Sequence, residues 1–189
     1  MAVKTTEITG KTTLIPGLII FDISSIEDER GYYQEKYQKQ KLVKAGLPES
    51  FNIVQNSVSY NKNSGAIRGF HAEPWDKYIS TVSGKVFAAY VDLRKGESFG
   101  KVVTVEINSN IAVFLPKGVA NSFQTLTDNT YYLYSVNDFW SADLYDKYTF
   151  VNLADPDINV AWPIPLSSSI MSERDKNHPF LRDIKAFEG

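Results

Sequence analysis

The stretch YISTVSGKVFAAYVDL, residues 78–93, carries the pattern that decides the fold class. It consists of two apolar runs, Tyr78–Val82 and Lys85–Leu93, which are separated by Ser83-Gly84. β-Branched and aromatic residues are enriched in strands, and a two-residue link that contains glycine indicates a tight hairpin. The stretch therefore predicts two consecutive strands that pair with each other.

Strand signals recur on both sides of this stretch, separated by clusters of Asn, Gly, Pro or Asp. The further predicted strands are Leu18–Ile23, Ile53–Tyr60, Lys101–Ile107, Ala112–Leu115, Ser122–Leu126 and Thr130–Val136. Many short strands at such spacing favour an all-β sandwich or barrel over an alternating α/β fold. Between the first two of these strands, Gly31–Lys44 predicts a strand followed by a short helix.

The composition indicates one domain with a large β-rich core, because 43% of the 189 residues are hydrophobic and 13% are aromatic. We predict a single domain over residues 1–189, with an N-terminal strand segment and a C-terminal tail from Thr149 that packs on the barrel. The absence of cysteine excludes disulfides and thiolate metal sites.

Charge and hydropathy narrow the choice of partners. The formal net charge of −2 argues against general attraction to nucleic acid or to an acidic membrane. Met1–Lys11 is polar, and no run approaches the roughly 18 apolar residues of a membrane span. We therefore expect a cytoplasmic protein with neither partner, in which any anionic ligand is held by locally clustered cations.

The motif Arg68-Gly69-Phe70-His71 holds one of only two histidines in the chain, and Glu73 and Lys77 follow it closely. An imidazole, a guanidinium and an ammonium within ten residues suit an anionic substrate and a proton transfer. A structural histidine is the alternative that the pattern alone leaves open. The second histidine, His178, stands beside a proline and is interpreted as structural or exposed.

Residues Leu115–Asn121 have the form P-x-G-x-x-N, which resembles the second motif of the cupin jelly rolls, P-x-G-x-x-H. The histidine of that motif is usually a metal ligand, and asparagine is a poor ligand for zinc or iron. Of the ligands in the first cupin motif, only His71 and Glu73 have counterparts here. The resemblance implies a cupin-type double-stranded β-helix (jelly roll) with a few short helices and, because the ligand set is incomplete, no bound metal.

From about Ile15 to Leu181 the chain resembles the dTDP-4-dehydrorhamnose 3,5-epimerase family. The markers, in family order, are Ile15-Pro16-Gly17, Asp28-Glu29-Arg30-Gly31, Arg68-Gly69-Phe70-His71, Val91-Asp92-Leu93-Arg94 with Phe99-Gly100, Pro116 to Phe123, Asp155-Pro156, Ala161-Trp162-Pro163 and Ser172-Glu173-Arg174-Asp175. The segments Ala72–Ser80 and Val136–Trp140 are similar to those of a streptococcal-type subgroup.

This resemblance implies a homodimeric isomerase that inverts carbons 3 and 5 of a dTDP-4-keto-6-deoxy sugar, with no cofactor. By family position His71 is the general base, Asp175 its carboxylate partner, Tyr134 the acid, and Lys77 the cation that faces the enolate. The implied substrate-binding residues are Arg30, Glu35, Gln55, Ser57, Arg68, Asn121 and Trp140. Asn121 and Trp140 stand where many family members have His and Tyr, and the streptococcal-type subgroup shares both.

The chemistry suits these residue types, because removing a proton beside a ketone needs a base and a group that stabilises the enolate. Residue pattern alone nevertheless favours packing for Tyr134 and solvated surface for Asp175 and Lys77. Strand alternation places Tyr132 and Tyr134 on one face, so one can catalyse while the other packs.

Three other functions remain as alternatives. The first is a mono-epimerase of another deoxysugar pathway, and the second is a non-catalytic cupin that binds sugar nucleotides. A metal-dependent cupin oxygenase comes last, since its ligands are lacking.

Overall fold

The computed structural model describes residues 5–188, which form short strands and a few short helices. The strands are β1 (Ile8–Thr12), β2 (Ile19–Ile23), β3 (Ile26–Asp28), β4 (Gly31–Tyr33), β5 (Gln55–Asn61), β6 (Ile67–Ala72), β7 (Lys77–Ser83), β8 (Val86–Asp92), β9 (Val102–Ile107), β10 (Ile111–Leu115), β11 (Val119–Thr125), β12 (Thr130–Val136) and β13 (Thr149–Phe150). The α-helices are α1 (Lys39–Lys44) and α2 (Glu173–Lys176), and 3₁₀ turns occupy Ala142–Lys147, Leu166–Ser168 and Leu181–Asp183. None of the helices in this part of the chain is long and apolar enough to cross a membrane.

Two antiparallel sheets face each other across the main apolar core. One sheet has the strand order β1-β2-β10-β7-β12-β5, and the other has the order β13-β6-β11-β8-β9. Inward side chains of both sheets, among them Ile79, Tyr90, Val113 and Phe123, are buried between them. The predicted cupin-type jelly roll is confirmed.

The predicted hairpin across Ser83-Gly84 is wrong, although its two strands exist. β7 pairs with β10 and β12 in the first sheet, whereas β8 pairs with β9 and β11 in the second. The Ser-Gly link is therefore the point where the chain crosses between sheets. Gly84 has φ +86°, and a Cβ there would lie 2.9 Å from the Cα of Thr130, so the crossing is tight against the start of β12.

The segment after β12 covers the outer face of the second sheet. Val151, Leu153, Ile158 and Leu181 join a second apolar cluster there, together with Phe70. Residues 1–4 and 189 of the predicted domain lie outside the described residues. The packing of this segment matters for function, because it carries α2 to the edge of the core.

A bulge in β6 sets the direction of the side chains in the Arg68–His71 motif. In the pairing of β6 with β11, Asn121 lies opposite His71 and Phe123 lies opposite Arg68, so three steps along β6 match two along β11. In a regular strand, residues three apart point to opposite faces, and the extra residue of a bulge brings them to one face. Gly69 has φ +124°, and a Cβ on it would lie 2.6 Å from the carbonyl oxygen of Asn121.

We expect Gly69→Ala to be more destabilising than Gly31→Ala, which is its matched control. Both glycines have φ +124°, but a Cβ at position 31 has nothing within 4 Å. The unfavourable φ alone costs about 1–3 kcal/mol, and the clash at position 69 adds about 1–3 kcal/mol. Denaturant unfolding at one fixed protein concentration measures both, and equal losses in the two variants would contradict this account of the bulge.

Candidate active site

A cavity of about 820 Å³ lies between the two sheets. Its size is within the range of small-molecule sites. Eight of the eleven residues that the sequence analysis assigned to catalysis or substrate binding line this cavity. They are Gln55, Arg68, His71, Lys77, Asn121, Tyr134, Trp140 and Asp175. Strands of both sheets and helix α2 thus converge on one space, although residues 55 and 175 are far apart in the sequence.

His71 and Asp175 form a hydrogen-bonded pair at the wall of this cavity. The distance from His71 Nε2 to Asp175 Oδ1 is 2.9 Å, and the side chains are 29% and 7% exposed. Ser172 caps α2 by accepting the backbone N–H of Asp175 at 3.1 Å, which fixes the start of the helix that carries the carboxylate. Because an ionised carboxylate only accepts, Nε2 carries the proton and Nδ1 is left free to act as a base.

The surroundings hold this pair in the protonation states that a general base needs. Burial lowers the pKa of His71 below its ordinary 6.5, and the Asp175 carboxylate only partly offsets that shift. Burial alone would raise the pKa of Asp175, but hydrogen bonds from His178 and His71 bring it below its ordinary value. At neutral pH the imidazole is therefore neutral and the carboxylate is charged.

Lys77 is a buried lysine at the wall of the same cavity. Its Nζ lies 2.9 Å from Asn121 Oδ1, which joins β7 of one sheet to β11 of the other. It also forms an ion pair with Glu73, and the two side chains are 7% and 13% exposed. Burial lowers the pKa of Lys77 to about 7. The ion pair with Glu73 acts in the opposite direction, because a nearby carboxylate favours the charged form of a lysine.

The two tyrosines of β12 share the inner face, as strand alternation predicted. Tyr132 and Tyr134 both line the cavity, whereas Tyr131 is 42% exposed. The ring of Tyr132 stacks on Phe123 with centroids 4.0 Å apart, and its hydroxyl is buried. Tyr134 is only partly buried, so its hydroxyl is the one that a bound molecule can reach.

An aromatic segment that sequence reasoning missed closes one side of the cavity. Tyr145 and Tyr148 stack at 5.1 Å, and the ring of Trp75 meets Tyr148 edge-on at 5.5 Å. Arg174 lies over the ring of Tyr145 at 4.8 Å and donates to its hydroxyl at 2.9 Å. The run Tyr145-Asp146-Lys147-Tyr148-Thr149-Phe150 is the sequence signal that could have indicated it.

Trp140, which was predicted to bind substrate, is 55% exposed and lies at the rim of the cavity. Its backbone N–H donates to Gln55 Oε1 at 3.0 Å.

Three residues expected to bind substrate are absent from the wall of this cavity. Arg30 pairs with Asp28 at 2.5 Å and its side chain is 85% exposed on the β3–β4 hairpin. Glu35 pairs with Lys41 at 2.5 Å. Ser57 lies on β5 between Gln55 and Ser59, which line the cavity, and its hydroxyl accepts a hydrogen bond from Gln55 at 3.2 Å. Their roles in binding stay predictions.

His178 belongs to this site, which the sequence did not reveal. It is buried, and its Nε2 lies 3.2 Å from the same Asp175 Oδ1 that binds His71. The candidate ligand atoms of these three side chains lie within 4.8 Å of one another, so the ligand count from the sequence was too low. Both imidazoles nevertheless converge on one carboxylate oxygen, and this arrangement is that of a hydrogen-bonded cluster with the protons between its members.

Comparisons with known proteins agree with this geometry. The family model for dTDP-4-dehydrorhamnose 3,5-epimerase matches residues 12–183. The chain is 49% identical to a Streptococcus pyogenes protein named Protein RmlC homolog, over 90% of this chain and 88% of that protein. It is 31% identical to the dTDP-4-dehydrorhamnose 3,5-epimerase of Shigella flexneri, over 87% and 91% of the two chains. The solved structure of RmlC from Streptococcus suis in complex with dTDP-D-xylose is 45% identical and covers 97% of this chain and 95% of that one, with a TM-score of 0.90.

We expect the buried Lys77–Glu73 pair to be strongly coupled. Lys77→Met and Glu73→Gln each leave one buried charge without its partner, which typically costs about 3–5 kcal/mol of unfolding free energy. The double variant buries neither charge, so its loss should be well below the sum of the two single losses. A denaturant double-mutant cycle measures this, and additive losses would show that the two charges do not interact.

Proposed function

Because this chain belongs to the dTDP-4-dehydrorhamnose 3,5-epimerase family, we propose that it converts dTDP-4-dehydro-6-deoxy-D-glucose to dTDP-4-dehydro-L-rhamnose in dTDP-L-rhamnose biosynthesis. The observation that carries the proposal is the His71–Asp175 hydrogen bond of 2.9 Å at the wall of the cavity. Lys77 and Tyr134 line the same cavity, so a base, a cation and a hydroxyl face one space. These are the groups that inversion beside a ketone requires.

The first step is removal of a proton from the carbon next to the 4-keto group. Neutral His71 takes the proton on Nδ1, and the Asp175 carboxylate stabilises the imidazolium that forms. The electron pair left behind moves onto the carbonyl oxygen, giving an enolate. The Lys77 ammonium faces that oxygen, and one such donor is worth about 3 kcal/mol in the transition state.

The second step returns a proton to the opposite face of the sugar ring. Tyr134 donates it to carbon, and the phenolate regains a proton from solvent while His71 releases its own. The reaction leaves the atoms and oxidation state of the sugar unchanged, so we propose that neither a metal nor an organic cofactor takes part. These two steps, carried out at both carbon 3 and carbon 5, give the double epimer. A binding mode that presents only one of these carbons to the base gives the mono-epimer.

The nucleotide part of the substrate is charged and has a flat base. Arg68 and Arg174 both line the cavity and can hold a diphosphate. Trp140 exposes 55% of its surface at the rim and offers a face on which thymine can stack. The bound dTDP-D-xylose of the Streptococcus suis relative supports a dTDP-sugar as the ligand. We propose that the enzyme acts in the cytoplasm and that its partners include neither nucleic acid nor a membrane.

We also propose that the enzyme is a homodimer in which each chain supplies Arg30 to the cavity of its partner. The β3–β4 hairpin presents Arg30 beside Tyr32 and Tyr33, which are 56% and 62% exposed. Large aromatic side chains and arginine, exposed together, are typical of an interface. Arg30 does not reach the cavity of its own chain, and we therefore propose that it binds substrate in the cavity of a second copy.

Deuterium incorporation tests the proposed reaction. In heavy water the wild type should place deuterium on carbon 5, carbon 3 or both, and treatment with a chelator should leave the rate unchanged. His71→Ala should lower the rate by about 10²–10⁴-fold because its general base is lost. Tyr134→Phe should lose inversion yet retain some exchange, since His71 can return a proton to the face it came from.

Tyr132→Phe is the matched control, because this tyrosine lies on the same face but its hydroxyl is deeply buried. It should retain inversion. Exchange in His71→Ala at the wild-type rate would contradict the mechanism, and no exchange in the wild type would favour a cupin that only binds sugar nucleotides.

Subunit complementation tests the proposed role of Arg30. Arg30→Ala and His71→Ala homodimers should each be impaired at low substrate concentration. A mixed dimer of the two variants contains one site with both an intact His71 and an intact Arg30 from the partner, if the roles cross the interface. Equal mixing with free subunit exchange should then restore about one quarter of wild-type activity. No recovery in dimers shown to be mixed would place Arg30 outside the partner's site.

A further inference from the structure

We propose that His178 is a positioning residue of this site, which holds the Asp175 carboxylate in place and shares its Oδ1 with His71. The idea that this tunes catalysis rests on the proposed epimerisation, but the interaction itself does not. Asp175 Oδ1 lies 2.9 Å from His71 Nε2 and 3.2 Å from His178 Nε2. One carboxylate oxygen thus serves two imidazole donors, and only His71 lines the cavity.

The position of His178 is fixed from three sides. Its ring stacks on Phe150 with centroids 4.6 Å apart and planes 15° apart. It meets the ring of His71 edge-on at 5.6 Å. Its backbone carbonyl accepts a hydrogen bond from Asn152 at 3.0 Å. A side chain that is 7% exposed and so constrained has little freedom to turn away from Asp175.

The other charged groups around the pair do not compete for this oxygen. Arg174 donates to the Tyr145 hydroxyl at 2.9 Å, and Lys176 pairs with Glu173 at 2.5 Å. Lys77, on β7, pairs with Glu73 and acts on His71 only through space. Among the described residues, His178 is therefore the second imidazole donor to Asp175, and the Ser172 side chain adds a smaller effect that lowers the pKa of this carboxyl.

A shared acceptor gives each donor a weaker hydrogen bond than an unshared one. While His178 donates to Oδ1, Asp175 attracts the His71 proton less strongly, and imidazolium formation on His71 is less favoured at rest. Without His178, the full charge of Asp175 acts on His71, so the pKa of His71 rises. The sharing thus keeps His71 neutral, and ready to accept a proton, at lower pH than a simple His–Asp pair would allow.

The test compares His178→Leu, which removes the donor, with His178→Gln, which keeps an N–H donor at a similar reach. The chain has only two histidines, so in each variant the remaining imidazole signal in a ¹⁵N NMR titration is that of His71. We expect the pKa of His71 to rise by about one unit in His178→Leu and to return toward the wild-type value in His178→Gln. Lys185→Ala, an exposed change further along the same C-terminal segment, should leave it unchanged.

The deuterium exchange rate should change with pH in the same sense. Below both pKa values His178→Leu should be about tenfold slower than wild type, because the neutral fraction of His71 falls tenfold per unit. Above both, the two rates should approach each other. A merely structural role would instead lower the rate equally at every pH.

An unchanged or lowered pKa of His71 in His178→Leu would overturn the inference, as would an equal loss of rate at all pH values. The titration needs no turnover. If the wild type exchanged no deuterium while the pKa still rose in His178→Leu, the positioning role would stand and the proposed function would fall.

Discussion

The site depends on a buried carboxylate that must be satisfied. Asp175 is 5% exposed, and a charge at that depth is costly unless it is hydrogen-bonded. The cost is offset by His71 at 2.9 Å and His178 at 3.2 Å. The hydrogen bonds to Asp175 therefore fix the tautomer of His71, the orientation of the His178 ring and the position of α2 against β6. The same bonds that stabilise the carboxylate are the ones that keep the proton of His71 on Nε2 and leave Nδ1 unprotonated.

A second constraint comes from the two sheets, neither of which can build the cavity alone. The bulge at Gly69 turns Arg68 and His71 to one face of the second sheet. Lys77 comes from the first sheet and reaches Asn121 of the second at 2.9 Å. Lys77 and His71 are thus held on different rigid strands, and such rigid placement would make the proposed electrostatic stabilisation of an enolate effective. The fold matters to the chemistry because it fixes this separation.

Local sequence predicted most of the longer strands but missed β1 and β6, and it predicted strand pairing less well. Thr130–Val136 was predicted with the bounds of β12, because alternation and β-branched or aromatic residues are local signals. The Ser83-Gly84 hairpin was wrong because a turn signal does not say whether the next strand stays in the same sheet. The partners of β7 come from β10 and β12, and long-range pairing of this kind is set by the whole core.

The residues of the site were also predictable only where the signal is local, because contacts between distant parts of the chain leave no local pattern. The pairing of His71 with Asp175, 104 residues apart, came from family resemblance, since the charged run around Asp175 looks like solvated surface. His178 was missed in the sequence analysis because a histidine beside a proline carries no local signal of burial. Its contact with the His71–Asp175 pair forms only when α2 packs against β6. Arg30 lies in a family motif and Glu35 was implied by family position, yet one chain does not bring either of them to the cavity.

The tautomer of His71 at neutral pH is the measurement that tests this account most directly. Long-range ¹H–¹⁵N NMR separates the protonated from the unprotonated ring nitrogen of each histidine. The account predicts a neutral His71 at pH 7 with its proton on Nε2, facing Asp175, and a bare Nδ1 facing the cavity. In Asp175→Asn that preference should weaken. A proton on Nδ1, or a charged imidazolium at pH 7, would contradict the claim that Asp175 prepares His71 as the base.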